Sequence, residues 1–372
     1  MGLLSQQARK LPHIPQLDGL RGIALALVVL HHVFVTWTWR GAPRPLLAFA
    51  KDATVGVDLF FVLSGFLITS ILIRSKGTPG TLRQFYSRRI LRIWPVYYVL
   101  LAVKCLETWW TRTPYSWARC TVFVQNFLPA WPASADFNQT WSLCVEEHFY
   151  LVWPLLVLLL PKRVLPFIAG GVVAISPLVR AFGLHRGANA KQLYTYTQYR
   201  LDGIALGSLL ALLLAAGILD SALVRRLGWI ILLAFLPAAV WVVTSLGEMQ
   251  PLRVMFGDSF FALAFIGLFC LTLESVHFIR VLSLGPLRHV GKISYGLYMI
   301  HPFVFAFVGQ HLLGVKGMFA GIGTSVVIAA LSWRFFESPI LQIGRRGPKR
   351  KQATIPDLAR VTVPAGLPAV SE

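Results

Sequence analysis

"LDGLRGIALALVVLHH", from Leu17 to His32, decides the fold. Its centre is uninterruptedly apolar, and with its flanks it opens a stretch long enough to cross a bilayer. A hydrocarbon core of about 30 Å takes about 20 such residues in a helix. Yet the stretch carries Arg21 at one end and His31 and His32 at the other. Similar stretches recur at roughly 18–37, 53–74, 90–110, 140–161, 164–183, 199–217, 226–246, 254–274, 293–313 and 317–338. Ten such runs predict an all-α polytopic membrane protein. Composition agrees. The 372-residue chain is 56% hydrophobic and only 13% charged, where a soluble domain carries about a quarter charged residues. Its mean hydropathy is +0.65. "WARCTVFVQNFLPA", at 117–130, is too short to cross and is expected to be re-entrant or interfacial. The first fifteen residues are mixed and polar, and the first apolar stretch is span-length, so no cleavable signal peptide is expected.

The formal charge of +20 and pI near 10.4 suggest nucleic acid only for a soluble protein. No recognition module accompanies the charge, and nucleic-acid binding is not expected. The basic residues instead flank the spans. With the N-terminus inside, Arg9, Lys10, Arg74, Lys76, Arg83, Lys162, Arg163, Arg225, Arg226, Arg280 and Lys292 fall in inner loops, where basic residues outnumber those outside. That bias places both termini in the cytoplasm. It also favours the short segment turning back, because an eleventh crossing would put Lys162 and Arg163 outside. One membrane-embedded domain is expected over 1–340. A basic, polar and proline-containing tail, expected to be disordered, follows over 341–372. The four cysteines, Cys105, Cys120, Cys144 and Cys270, lack metal-ligand or redox spacing. No metal is expected, and buried free thiols are favoured over a Cys105–Cys120 pairing.

Ionisable residues inside a membrane cost a few kcal/mol each, so they are functional candidates by default. Arg21 and His32 are eleven residues apart, which is three helical turns plus about 20°, so they share a face about 16 Å apart along the axis. His31 points elsewhere and reads as a packing or interfacial residue. In "VGVDLFFVLSGFLITSILI" Asp58 lies toward the outer surface, and Ser64 and Gly65 lie near the middle. "TWSLCVEEHFYLVWP" carries Glu146 and Glu147 in its outer half, with Ser142 one turn above Glu146. His32, Asp58, Glu146 and Glu147 are therefore expected at one depth, the raw material of general-base catalysis. On the inner side, "FYSRRILRIWPVYY" places Arg88, Arg89 and Arg92 at the start of a span, where with Arg21 they suit phosphates. The distance from this cluster to His32 matches the reach of a pantetheine arm, which suggests a cytoplasmic coenzyme A thioester. Blander readings stand beside these. Arg88 and Arg89 fit the positive-inside rule alone. Asp58 or a glutamate can pair with Arg21 or Arg200 to fix packing. His148 fits a satisfied core histidine. Tyr97, Tyr98, Trp109 and Trp110 fit packing or an interfacial belt.

These stretches together resemble the membrane-bound acyltransferase-3 family, whose members move acyl groups, often acetyl, onto sugars of bacterial surfaces or small glycosides. The resemblance runs over most of 14–340. It rests on Arg21 and His32 in the opening stretch; "GVDLFFVLSGFLI" at 56–68; Arg89 and Arg92 in "FYSRRILRIWPVYY"; "TWSLCVEEHFYLVWP"; "YRLDGIALG" at 199–207; "GKISYGLYMIHP" at 291–302; and, more weakly, "RFFESP" at 334–339. The resemblance implies a multi-pass protein of the bacterial inner membrane. It implies acetyl-coenzyme A or another acyl-coenzyme A as co-substrate, no permanently bound cofactor, and a carbohydrate acceptor. His32 would be the catalytic base, oriented by Glu146, Glu147 or Asp58. Arg21, Arg89, Arg92 and Arg88 would hold the donor. Arg200, Asp202, Trp141 and Ser142 would shape the acceptor side. Direct transfer and an acyl-enzyme, with Ser64 as its candidate nucleophile, both stay open. His148 stands where the family often has glutamine. Some relatives carry an extracellular hydrolase-like domain, for which this chain is too short, so a second transfer step is expected to need another protein. The alternative is a transporter or flippase for a lipid-linked or charged solute, using the same polar midplane; the lack of an internal repeat speaks against it. An inactive scaffold subunit is a third reading. The sequence leaves the acceptor, the acyl chain and the oligomeric state open.

Overall fold

Apolar runs of this length have one way to satisfy their backbone in lipid, the intra-segment hydrogen bonds of a helix. The computed structural model describes residues 14–37, 53–112, 117–127 and 135–345, and a helix forms at each of the ten expected places. These are α1 (Pro15–Thr36), α2 (Gly56–Ser75), α3 (Thr81–Trp110), α4 (Trp141–Leu159), α5 (Leu165–His185), α6 (Leu201–Ala215), α7 (Ser221–Ser245), α8 (Pro251–Glu274), α9 (Ser294–His311) and α10 (Gly314–Ser332). No strand occurs among the described residues. Seven helical segments are long and apolar enough to cross a membrane by length and composition, those of α1, α2, α4, α5, α7, α8 and α10. Of the others, α6 is a shorter apolar helix, and α3 carries the arginines that dilute its hydropathy.

The residues sort themselves by what they face. On α7, Ile230, Leu233, Leu236, Val240 and Trp241 are exposed. A continuous apolar face of this kind is an aggregation site in water and an ordinary surface in lipid. By contrast α2 is apolar all round and is the most enclosed of the span-length helices. It packs against α1, α4, α6 and α8. Trp109 and Trp110 are exposed at the end of α3, as an interfacial belt requires.

Helices α2 and α6 pack backbone to backbone, and glycine makes it possible. A Cβ on Gly65 would collide with the Ile204 carbonyl, and one on Gly207 with the Val62 carbonyl. Both obstacles are backbone, so neither can swing aside. Gly65→Ala is expected to part the two helices and cost about 1–3 kcal/mol, read as a lower thermal midpoint in detergent; an unchanged midpoint would refute the close packing.

The helix ends are tied as well. Lys76, just past α2, donates its Nζ to the Val157 carbonyl (2.6 Å) and to the Leu160 carbonyl. These are orphan acceptors at the C-terminus of α4, where a cation also complements the helix dipole. The short segment does not cross. It forms one turn at Ala118–Thr121 and another at Gln125–Phe127. Tyr97 and Tyr98 of α3 hold it by donating to the Cys120 and Thr121 carbonyls at 2.8 and 2.7 Å. Asn126 ties it to Thr195 and Thr197. All four cysteines are free thiols. A final helix, Ser338–Arg345, runs past the boundary expected at 341, because the apolar Ile340, Leu341 and Ile343 continue its pattern. Arg9, Lys10, residues 128–130 and the tail beyond Arg345 lie outside the described residues.

Candidate active site

Two cavities and a row of aromatic rings between them form the polar interior. The first cavity is lined by Arg21, Arg89, Arg92, Ser64, Glu146 and Tyr298, among others. The one-turn spacing of Arg89 and Arg92 on α3 brings both guanidinium groups to the same wall. Arg89 lies over the Tyr150 and Phe85 rings, 5.4 and 5.7 Å from their centres. Such stacking holds the guanidinium plane while leaving its edge free to donate. Arg21 donates to Asp18 at 3.1 Å. Glu146 accepts from Ser64 Oγ (2.8 Å) and from the Tyr150 hydroxyl (2.7 Å), one on each oxygen. Three cations against this one carboxylate leave the wall net positive, which suits a polyphosphate. Arg88 is exposed and lines neither cavity. It sits on the other side of α3, since adjacent residues point about 100° apart, so the expected four-arginine cluster is a three-arginine cluster.

Asp58 does not join His32. Arg200 claims it, donating at 2.7 Å, and Arg200 also pairs with Asp258 of α8. The guanidinium lies against an aromatic pair, Tyr194 and Trp141, 4.9 and 5.6 Å from their centres, whose rings are themselves 4.7 Å apart. Its side chain is fully buried. An unpaired charge there is prohibitive, so the nearest carboxylates are drawn to it. Asp202 is likewise taken by Arg180 at 3.0 Å and by Ser259 at 2.6 Å. Arg180 spends its remaining donors on the Met255 and Tyr199 carbonyls and on the Ser259 hydroxyl. The expected acceptor-side residues Arg200, Asp202 and Trp141 thus belong to a packed ion-pair network of two neighbouring clusters, Arg200 with Asp58 and Asp258, and Asp202 with Arg180 and Ser259, that clamps α2, α6, α5 and α8. Asp258 and Arg180 were invisible as its members, since nothing local marks a long-range ion pair. Ser142 has a different task. Its hydroxyl meets that of Tyr298 at 2.7 Å, and both point at the Gln139 carbonyl. Glu147 lines neither cavity. His148 bonds Thr197 at 2.7 Å and stacks on Phe127, as a satisfied core histidine does.

His32 is oriented by its own helix. Its Nδ1 lies 2.9 Å from the Val28 carbonyl four residues back. A carbonyl only accepts, so Nδ1 carries the proton and Nε2 keeps its lone pair, the form a general base needs. The expected orienting carboxylates, Glu146, Glu147 and Asp58, are replaced by this carbonyl. The ring stands 5.1 Å from His31 and 4.9 Å from His301, centre to centre. His301 is 6.1 Å from Tyr298. Tyr298 lines the arginine cavity, and His31 lines the second cavity. That second space is lined by Thr54, Arg180, Tyr194, Glu248, Arg253 and Asp258, among others. Its acids and bases balance, unlike the net positive first cavity. The ring series Tyr298, His301, His32, His31 therefore joins a cationic cavity to a neutral one.

Comparison with known proteins decides the family. Residues 14–335 match the family model described as an acyltransferase domain. The chain belongs to the acyltransferase-3 family. It is 27% identical to the peptidoglycan O-acetyltransferase OatA of Listeria monocytogenes, over 89% of this chain and 56% of that protein. It is also 27% identical to a Staphylococcus aureus protein named "Putative O-acetyltransferase", over 95% of this chain and 62% of that one. The chain thus spans about 60% of the length of these relatives. No solved structure matches it. The match to this acyltransferase-3 model reaches from the start of α1 into the π-helical turn Trp333–Glu337, and so takes in both cavities and the rings between them.

Proposed function

We propose that this protein is an integral-membrane O-acyltransferase that moves an acetyl group from acetyl-coenzyme A to a hydroxyl of a surface glycan. The reading places it in a bacterial inner membrane with both termini in the cytoplasm. The observation that carries it is the position of His32, locked in the basic tautomer between the arginine cavity and the neutral one. Arg21, Arg89 and Arg92 take the phosphates of the donor, and its thioester reaches toward the rings. The acceptor hydroxyl arrives from the side of His31 and Tyr194, where a balanced, aromatic-lined space suits a neutral sugar. His32 Nε2 removes the hydroxyl proton as the oxygen attacks the thioester carbonyl, and coenzyme A leaves as its thiol. The name of the Listeria relative supports a glycan as acceptor.

Wild-type protein in nanodiscs, given radiolabelled acetyl-coenzyme A and chitotetraose, is expected to release coenzyme A and label the sugar. Release of neither rejects acyl transfer; solute flux without thioester cleavage points to a transporter instead. Each of Arg21→Ala, Arg89→Ala and Arg92→Ala removes a charge-assisted contact of about 1.5–3 kcal/mol. Each is therefore expected to weaken acetyl-coenzyme A binding about 10- to 100-fold, measured by titration calorimetry. Arg88→Ala, outside the cavity, is expected to bind within about twofold of wild type. Equal losses at Arg88 and Arg89 would contradict the assignment of the cavity.

A further inference from the structure

One carboxylate neutralises one guanidinium, yet Arg200 has two. Asp58 of α2 suffices: its side chain is 4% exposed and accepts from Arg200 Nη2 at 2.7 Å. Asp258 of α8 is the second, paired with Arg200 through Oδ2. For packing alone the second charge is surplus, because an asparagine of the same shape would make the contact without it.

Asp258 also differs from Asp58 in what it faces. Its side chain is 29% exposed. It lines the second cavity, whose wall includes neither Asp58 nor Arg200. Among the described residues its hydrogen-bonding partner is Arg200, at Oδ2, and nothing donates to Oδ1. One oxygen is thus pinned by a buried guanidinium, and the other is left for what the cavity holds. Arg200 fixes a second part of the same wall. Its guanidinium lies 4.9 Å from the centre of the Tyr194 ring, and Tyr194 lines the cavity too. A single buried cation therefore holds a carboxylate and an aromatic ring in a fixed relation. That combination suits a sugar. The C–H face of a pyranose lies on an aromatic ring, and its hydroxyls donate to a carboxylate in charge-assisted bonds about twice as strong as neutral ones. An ionic ligand fits less well. Glu248 and Asp258 offset Arg180 and Arg253 in charge. Arg180 is engaged by Asp202, and Arg253 donates to the Val243 and Leu246 carbonyls.

We propose that Asp258 is an acceptor-binding residue: it accepts a hydrogen bond from a hydroxyl of the sugar other than the one that reacts, while Tyr194 carries the apolar face of the ring. The role rests on the acyl-transfer reading and names its acceptor class, a pyranoside with at least two free hydroxyls. His31 lines the same cavity, and its ring centre is 5.1 Å from that of His32. Anchoring at Asp258 fixes which of the remaining hydroxyls faces that side. Asp258 exchanges no proton, so the transfer step is unchanged.

Binding tests the role without turnover. Protein in nanodiscs is titrated with chitotetraose and, separately, with acetyl-coenzyme A. Asp258→Asn keeps the side-chain size and leaves Arg200 its Asp58. It is expected to bind chitotetraose about 10- to 100-fold more weakly, the loss of a charge-assisted hydrogen bond, with acetyl-coenzyme A affinity within about twofold. Unchanged sugar affinity, or equal losses for both ligands, overturns the role. Wild type gives a reading that needs no variant. Methyl N-acetylglucosaminide is compared by saturation-transfer NMR with analogues each lacking one hydroxyl. One analogue is expected to bind about tenfold more weakly than the parent, and in Asp258→Asn the two are expected to bind alike. Analogues that all match the parent in wild type, or a difference that persists in the variant, overturn the contact. In turnover, Asp258→Asn is expected to raise KM for chitotetraose about tenfold or more and leave KM for acetyl-coenzyme A within about twofold. A wild-type protein that binds the sugar and moves no acetyl group overturns the acyl-transfer reading and leaves the subsite. A variant with the wild-type KM for chitotetraose overturns the subsite and leaves the reading.

Discussion

His32→Ala is expected to leave a folded protein that still binds acetyl-coenzyme A but transfers the acetyl group about 10²- to 10⁴-fold more slowly. That range is what a positioned general base contributes. The protein survives because His32 is half-buried and its one described hydrogen bond is to its own helix. The Val28 carbonyl keeps its helical role when the ring is gone. Binding is expected to survive because the arginines proposed to hold the phosphates lie in a cavity whose lining does not include His32. The variant is therefore expected to lose kcat and keep donor affinity, the pattern of a group that acts only in the transition state. The measurement is labelled acetyl transfer to chitotetraose beside calorimetric titration of acetyl-coenzyme A. Turnover near the wild-type rate would remove His32 from the mechanism. Loss of donor affinity together with turnover would make it a structural residue.

The second large effect is on stability. Arg200→Met is expected to destabilise the fold by about 3–5 kcal/mol, the cost of leaving a buried ion pair with one partner. Here the penalty falls twice, because Asp58 on α2 and Asp258 on α8 both lose their cation. Trp141 and Tyr194 keep an apolar neighbour, so the effect is electrostatic rather than a packing defect. The companion Arg200→Met/Asp58→Asn/Asp258→Asn removes all three charges and is expected to recover much of the loss. The thermal midpoint from fluorescence-detected size-exclusion chromatography reads both. A single variant as stable as wild type, or a triple variant no better than the single, would show that the network does not clamp the helices.

The ten helices were legible because apolar length and period are local properties, written in consecutive residues. The three arginines of the first cavity were legible for the same reason: Arg89 and Arg92 lie one turn apart, and Arg21 heads its own span. Arg88 was misread because its charge is as visible in the sequence as that of Arg89, while its side of the helix is not. The carboxylates were harder. Asp58, Glu146 and Glu147 are expected at one depth, yet Glu146 bonds Ser64, six residues along α2 from Asp58, since spacing within each helix does not set how the helices slide against one another. His301 was quoted within "GKISYGLYMIHP" without a role. The only available signal was a histidine in an apolar helix four residues beyond a carbonyl it can lock onto, a pattern it shares with His32.

By itself the sequence determined that the chain is an all-helical membrane protein, roughly where its helices lie (α3 starts at Thr81 rather than at 90), and which polar groups must be sheltered from lipid. Only the tertiary structure decided who shelters whom. It gave Asp58 and Asp258 to Arg200, Asp202 to Arg180, Glu146 to Ser64 and Tyr150, and left His32 beside His301. The physical reason is that backbone hydrogen bonding and burial act residue by residue along the chain. Pairing in a low-dielectric interior depends on which group on another helix comes within about 3 Å, and that distance is set only when the helices pack.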